Sequence, residues 1–156
     1  MDRDKFIAEI KKSKEQMYMV AFSVVKNHED AEDVVQEALL AAYEKLHTLK
    51  KEDKFKSWMM RIVVNQAKMH IRRHTRTICV QDLGNMPEKS TEEDHKNIWE
   101  IVLSLKKELS TVVILYYAQG YSINEISKIM RIPSGTVKSR LSKARSLLKK
   151  ELEDWL

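Results

Sequence analysis

The chain has 156 residues, enough for one medium domain or two small ones with modest cores. Three glycines and two prolines, against plentiful Lys, Glu, Leu and Ile, predict an all-helical protein, and a single cysteine, Cys79, excludes an intramolecular disulfide. The net charge of +5 is modest but sorted: residues 28–37 carry five acids and no Lys or Arg, whereas 138–150 carry six bases and no acid. The first block suits a basic protein surface and the second a polyanion. No apolar run approaches the roughly 18 residues of a membrane span. The opening MDRDKFIAEIKKSKEQ lacks the apolar core of a signal peptide, so with its lone thiol the protein is expected in the cytoplasm, without membrane insertion.

Residues 2–26 read as one long helix, with Phe6, Ile10, Met17, Val20, Ala21 and Val24 pointing inward; Asn27 and His28 break the pattern. A second helix follows, with a wide core stripe of Ala31, Val34, Val35, Ala38, Leu39, Ala42, Tyr43 and Leu46. Its outer face opens with Glu29, Asp30, Glu32, Asp33, Gln36 and Glu37. Acids in a first helical turn are favoured by the helix dipole, so their placement has a structural explanation as well as a docking one.

A polar loop, Lys50 to Lys54, leads into a third helix from about Asp53 to Arg73. Met60, Val63, Val64, Ala67 and Ile71 follow the helical repeat and form its core face. Trp58, Arg61, Ile62, Asn65, Lys68 and Arg72 fall on another side. A Trp, an amide and several cations on one face suit unstacked bases on a phosphate backbone. The plain alternative makes Trp58 and Ile62 part of a broad core and leaves the cations merely solvated.

Residues 75–94 lose helical periodicity and hold Gly84, Asn85 and Pro87, which marks a domain boundary and a flexible tether. The division is therefore residues 1–75, a linker over 76–94, and residues 95–156. Thr91 and Asp94 form a candidate capping box. One helix then carries Ile98, Ile101, Val102 and Leu105, and another carries Leu109, Val112, Val113, Leu115 and Tyr116 before Gly120 ends it.

From Ser122 to Lys150 the chain predicts two helices joined by a tight turn. Ser122 and Glu125 form a capping box, and Ile123, Ile126, Ile129 and Met130 an apolar stripe. Pro133 disfavours helical dihedrals at Ile132, and Ser134 is a good cap for a new helix beginning at Gly135. There Val137, Leu141, Ala144 and Leu148 share one face, with Thr136, Ser139, Ser142, Lys143 and Ser146 opposite. Small hydroxyls with a cation at the front of an exposed helix suit base edges in a major groove. Lys138, Arg140 and Arg145 lie on the flanks, where long cations reach phosphates. This is the pattern of a helix-turn-helix DNA reader; the bland alternative is a helical hairpin with a solvated basic face.

Enzyme chemistry has little to rest on. His70 and His74 are four apart on a helix, but no Glu or Cys accompanies them in sequence and Arg72, Arg73 and Arg76 would repel a cation, so neither metal nor cofactor is expected. There is no Gly-rich phosphate loop or nucleophile elbow.

Three segments together resemble bacterial RNA polymerase sigma factors of the extracytoplasmic-function type: DAEDVVQEALLAAYEKL (30–46), FKSWMMRIVVNQAKMHIRR (55–73) and LSTVVILYYAQGYSINEISKIMRIPSGTVKSRLSKARSLLKK (109–150). The resemblance implies a two-domain all-helical factor that binds core RNA polymerase and promoter DNA without chemistry of its own. It implies polymerase clamp docking through Asp30, Asp33, Gln36 and Glu37. It implies reading of the melted −10 element by Lys54, Trp58, Arg61, Ile62, Asn65, Lys68 and Arg72, with a flipped base in a pocket built by the loop Lys50 to Lys54. Ser134, Thr136, Lys138, Ser139, Arg140, Ser142, Lys143 and Arg145 would read the −35 element, while the second domain also packs on the polymerase flap. Family members are commonly held inactive by anti-sigma partners; no residue here identifies one. The chain departs from the family pattern at Met69, where an acid is usual, at Lys106, where Pro is common, and at Arg131, where the turn usually has Gly. The alternatives are a stand-alone helix-turn-helix regulator that never meets polymerase and, more remotely, a small nucleic-acid-processing enzyme using His70 and His74.

Overall fold

The structure, a computed structural model, describes residues 1–75 and 98–155. The expected linker over 76–94 and the Thr91/Asp94 capping box lie outside them. Among the described residues seven α-helices run in the order α1 (Arg3–Val25), α2 (His28–Glu44), α3 (Phe55–Thr75), α4 (Ile98–Ser104), α5 (Lys107–Val113), α6 (Ile123–Met130) and α7 (Ser134–Trp155), and there is no strand. All-α architecture with a C-terminal helix-turn-helix is what the composition and periodicity predict.

Local chemistry sets the helix ends. Asp2 caps α1 by accepting from the Lys5 amide at 2.8 Å, and Asn27 caps α2 by accepting from the Asp30 amide at 3.0 Å. Between these helices lie only Lys26 and Asn27, so α2 folds back against α1. Lys26 makes the reversal at φ 58°, a left-handed conformation unusual for a residue with a Cβ. α3 crosses both helices, and the Phe55 ring meets Phe6 edge-on at 5.9 Å. Met17, Met59, Met60, Val63 and Val64 fill the space between the three helices.

Some expectations need correction. Tyr43, read as core, is 54% exposed, and Leu46 falls in a single tight turn, Leu46–Thr48, beyond the end of α2. The third helix starts at Phe55 after a separate turn, Glu52–Lys54. Phe55 and Met59 are fully buried although the stripe beginning at Met60 omitted them. Ile98 is exposed, and Leu105 lies past the end of α4.

α5 widens into a π-helical turn, Ile114–Ala118, in which the Gln119 amide reaches back to the Ile114 carbonyl. Gly120, at φ +75°, lets the chain leave this turn. The capping box at the start of α6 is complete: the Ser122 hydroxyl accepts from the Glu125 amide and the Glu125 carboxylate from the Ser122 amide. Arg131 ends α6 at φ 56°, donating its amide to the Ser127 carbonyl. Ser134 is the first residue of α7, not its cap; the Pro133 carbonyl accepts from the Thr136 and Val137 amides.

The two helical sets share one core. Val102, Leu109, Ile114, Ile126, Val137 and Leu141 are continuous with the buried residues of α1–α3, through α5 against α1 and α6 against α3.

Candidate nucleic-acid interface

α7 buries Val137, Leu141 and Ala144 and turns its other side outward. Ser134, Lys138, Ser139, Ser142, Lys143 and Arg145 are exposed, while Thr136 and Arg140 are half-buried. These residues lie outside the buried stripe of α7. Arg145 differs from the simple flanking cation in already having partners: its Nε donates to the Tyr117 hydroxyl at 2.6 Å. Its guanidinium lies 5.9 and 5.7 Å from the Tyr116 and Tyr117 ring centres. Tyr117 was not singled out in the sequence; it lies in the π-helical turn, 51% exposed, and meets α7 through Arg145.

The second predicted face runs along α3. Arg61 and Arg72 are exposed, Asn65 is half-buried, and Trp58 and Ile62 are partly buried against the core. Trp58 and Ile62 pack on the core, as the plain alternative has it, yet each keeps an open edge. An open cleft of about 440 Å³ separates this face from α6, with Lys50, Lys54, Trp58 and Arg61 on one wall and Glu125 and Lys128 on the other. The polar loop Lys50 to Lys54 therefore borders a real concavity. Lys68 bridges the two elements by donating to the Met130 carbonyl at 2.9 Å. Its ammonium is held below the usual lysine range, first by burial and then by the charges of Arg140, Arg131, Arg72 and Lys107. Cations assigned to two different DNA elements thus crowd one another where α6 meets α3.

On α2, Asp33 and Gln36 are exposed, as a docking face requires. Asp30 and Glu37 already have partners on α3. Glu37 accepts from Arg73 at 3.2 Å, and Asp30 Oδ1 lies 3.1 Å from Nε2 of buried His70 but off the axis of a hydrogen bond, so that tie is electrostatic when the ring is protonated. Leu40, 69% exposed and absent from the predicted core stripe, and Tyr43, which that stripe had included, extend the acidic face with apolar surface. Asp30, His70 and His74 place donor atoms within 4.8 Å of one another, supplying the carboxylate that the histidine pair lacks in sequence. The two rings stack at 4.0 Å with 27° between their planes, so their in-plane lone pairs do not converge on one ion.

Comparison with known proteins decides between the readings. The Sigma-70 region 2 family model matches residues 10–77 and the Sigma-70 region 4 model matches 95–148. The sigma factor SigV of Bacillus subtilis is 30% identical over 142 residues, covering 89% of this chain and 86% of the relative. The chain belongs to the extracytoplasmic-function sigma factors of bacterial RNA polymerase. As such it binds core RNA polymerase and promoter DNA and directs promoter-specific initiation of transcription. SigW of the same organism is 29% identical over 171 residues, covering 98% of this sigma factor and 91% of SigW. Among solved structures, the sigma factor RpoE in complex with the anti-sigma factor NepR from Bartonella quintana shares the fold. Its TM-score is 0.78 at 24% identity, over 96% of this chain and 97% of that one. CnrH in complex with the cytosolic domain of CnrY gives 0.67 at 19% identity. A stand-alone regulator would not need the region 2 half, and that reading gives way.

Proposed function

We propose that the work of this sigma factor is divided among three faces. The exposed side of α7, from Ser134 to Arg145, reads the −35 element: Thr136, Ser139, Ser142 and Lys143 face base edges, with Lys138, Arg140 and Arg145 on phosphates. The α3 face of Trp58, Arg61, Ile62, Asn65, Lys68 and Arg72, with Lys54, holds the melted −10 strand, and the cleft beside the loop Lys50 to Lys54 accepts a flipped base. Asp30, Asp33, Gln36 and Glu37 dock on the polymerase clamp, and exposed Leu40 supplies an apolar contact at the C-terminal end of that patch. The second domain also rests on the polymerase flap. The domain limits are 1–75 and 95–156, and the factor works in the cytoplasm, without catalysis of its own, cofactor or metal. An anti-sigma partner is consistent with the complexes of its structural neighbours.

The observation carrying this reading is the cleft: a Trp, a Ser and several cations line a concavity large enough to admit a base, one helix away from a separate duplex-reading face. The test is reconstituted transcription. Core polymerase plus this protein initiates from a cognate promoter, and neither does so alone. Lys143→Ala weakens binding of duplex −35 DNA by about 1–3 kcal/mol. Asn65→Ala leaves duplex binding intact and impairs open-complex formation. Equal effects of both variants on duplex binding would refute the division.

A further inference from the structure

Arg145 is a cation of α7 that a second element holds in place, and what holds it is aromatic. Its Nε donates to the Tyr117 hydroxyl. The Tyr116 and Tyr117 rings, edge to face at 4.9 Å and 79°, stand 5.9 and 5.7 Å from the guanidinium. Among the described residues no carboxylate pairs with Arg145, so this support leaves its charge unneutralised. Tyr117 and Arg145 are both exposed. The tyrosines belong to the π-helical turn Ile114–Ala118, and such single turns are frequent at functional sites.

Hydrogen-bond accounting shows what the pair still has to offer. Arginine has only donors, so the phenolic oxygen must accept and its own proton is turned elsewhere. Among the described residues that proton meets no acceptor, and neither do the terminal nitrogens of the guanidinium. The fork of Nη1 and Nη2 and the phenolic proton therefore lie side by side as donors at an exposed positive charge. With Nε taken, the fork is left end-on, where it fits two oxygens of one phosphate. Exposed Ser142 and Lys149 continue the same helical row, and from Ser134 to Lys150 α7 carries no acid. A row of one sign suits a run of phosphates better than a single protein carboxylate.

We propose that Tyr117 and Arg145 form a single phosphate clamp on duplex DNA. The phenol fixes the guanidinium with its fork outward and lends its own proton to the phosphate that the fork grips. Tyr117 is thus a positioning residue for Arg145. An exposed arginine gives up rotamer freedom when it binds, and one already held gives up less. The clamp rests on the assignment of α7 to duplex DNA made above.

The test is a double-mutant cycle of Tyr117→Phe and Arg145→Ala in the full-length chain. Binding of a short fluorescein-labelled duplex of mixed sequence is read by anisotropy over a range of salt concentrations. Phosphate contacts carry no base sequence, so a cognate promoter is not needed. Phenylalanine keeps a ring beside the guanidinium and removes only the hydroxyl, so the thermal midpoint stays near that of the parent. Tyr117→Phe binds about three- to tenfold more weakly. Arg145→Ala lowers the logarithmic salt slope by about 0.9, and Tyr117→Phe lowers it by part of that amount. In the Arg145→Ala background the further loss on Tyr117→Phe shrinks to less than about twofold, because the phenol acts through the guanidinium.

Weaker binding by Tyr117→Phe with an unchanged slope marks a structural role and overturns the clamp. An equal loss in both backgrounds overturns it too. Arg145→Ala weakened with Tyr117→Phe unchanged overturns the clamp and leaves Arg145 on its phosphate. If poly-L-glutamate binding, and not duplex binding, falls in Tyr117→Phe, the cradle takes a protein carboxylate and the clamp is overturned. Lys143→Ala weakened with Arg145→Ala unchanged overturns the phosphate role of Arg145 and the clamp with it. Both of these unchanged overturns the assignment of α7 to duplex DNA itself.

Discussion

Arg131 stands at φ 56°, where a Cβ crowds the following carbonyl and Gly does not. The turn chemistry of the resemblance had pointed to this position, since Gly is usual there. Arg131→Gly in the full chain should relieve about 1 kcal/mol and raise the thermal midpoint by about 2–4 °C for a protein of this length. Arg131→Ala loses the same charge but keeps the strain, so its midpoint should stay below that of the Gly variant. A Gly variant melting at or below the parent temperature would mean that the Arg131 side chain contributes more than its backbone costs. Lys26, at φ 58°, carries the same kind of strain, but nothing local announces it. Asn27 next door is the residue the sequence offers for a turn, and it caps α2 instead.

At the scale of elements, legibility follows the range of the interactions. The apolar stripes of α2, α3, α6 and α7 and the Ser122–Glu125 box arise within four residues of chain, and they read directly from spacing. Tyr43 was misplaced for a related reason: it sits at the edge of the α2 stripe, where its ring touches Phe6 at 5.9 Å while most of its surface stays open. The π-helical turn at Ile114–Ala118 has no residue signature in that stretch. With it went Tyr117 and the bracing of Arg145. On α3 the separation of a core face from a Trp58–Asn65 face was legible as a pattern. Its closeness to α6 was not, since that depends on contacts more than sixty residues apart, such as Lys68 with Met130.

The whole molecule responds to pH where the two helical sets meet. Burial pushes the Lys26 ammonium down to about 8, against a smaller opposing pull from Glu108. In the unfolded chain Lys26 titrates near the ordinary lysine value of about 10.4. Between these values the unfolded chain holds more protons than the folded one, so stability rises with pH from about 8 toward 10.4, and the cost of burying the charge is fully present below 8. Tyr121, pushed up to about 12 by burial and by Glu125, stays neutral throughout this window. The thermal midpoint should rise between pH 7.5 and 9.5 relative to that of Lys26→Asn, in which the group is absent; a fall relative to the variant would reverse the assigned role of Lys26.

The crowding of Lys68 by Arg72, Arg131 and Arg140 also gives ionic strength two opposite effects on the protein. Dissolved salt competes with phosphate contacts, as it does for any DNA-binding protein. Here it also screens the repulsion where α6 meets α3, and so favours the folded chain. Added salt should therefore loosen promoter DNA while raising the thermal midpoint. In Arg131→Ala, which removes one of the crowding charges, the gain in midpoint should be smaller. Equal gains in parent and variant would show that screening does not reach this contact.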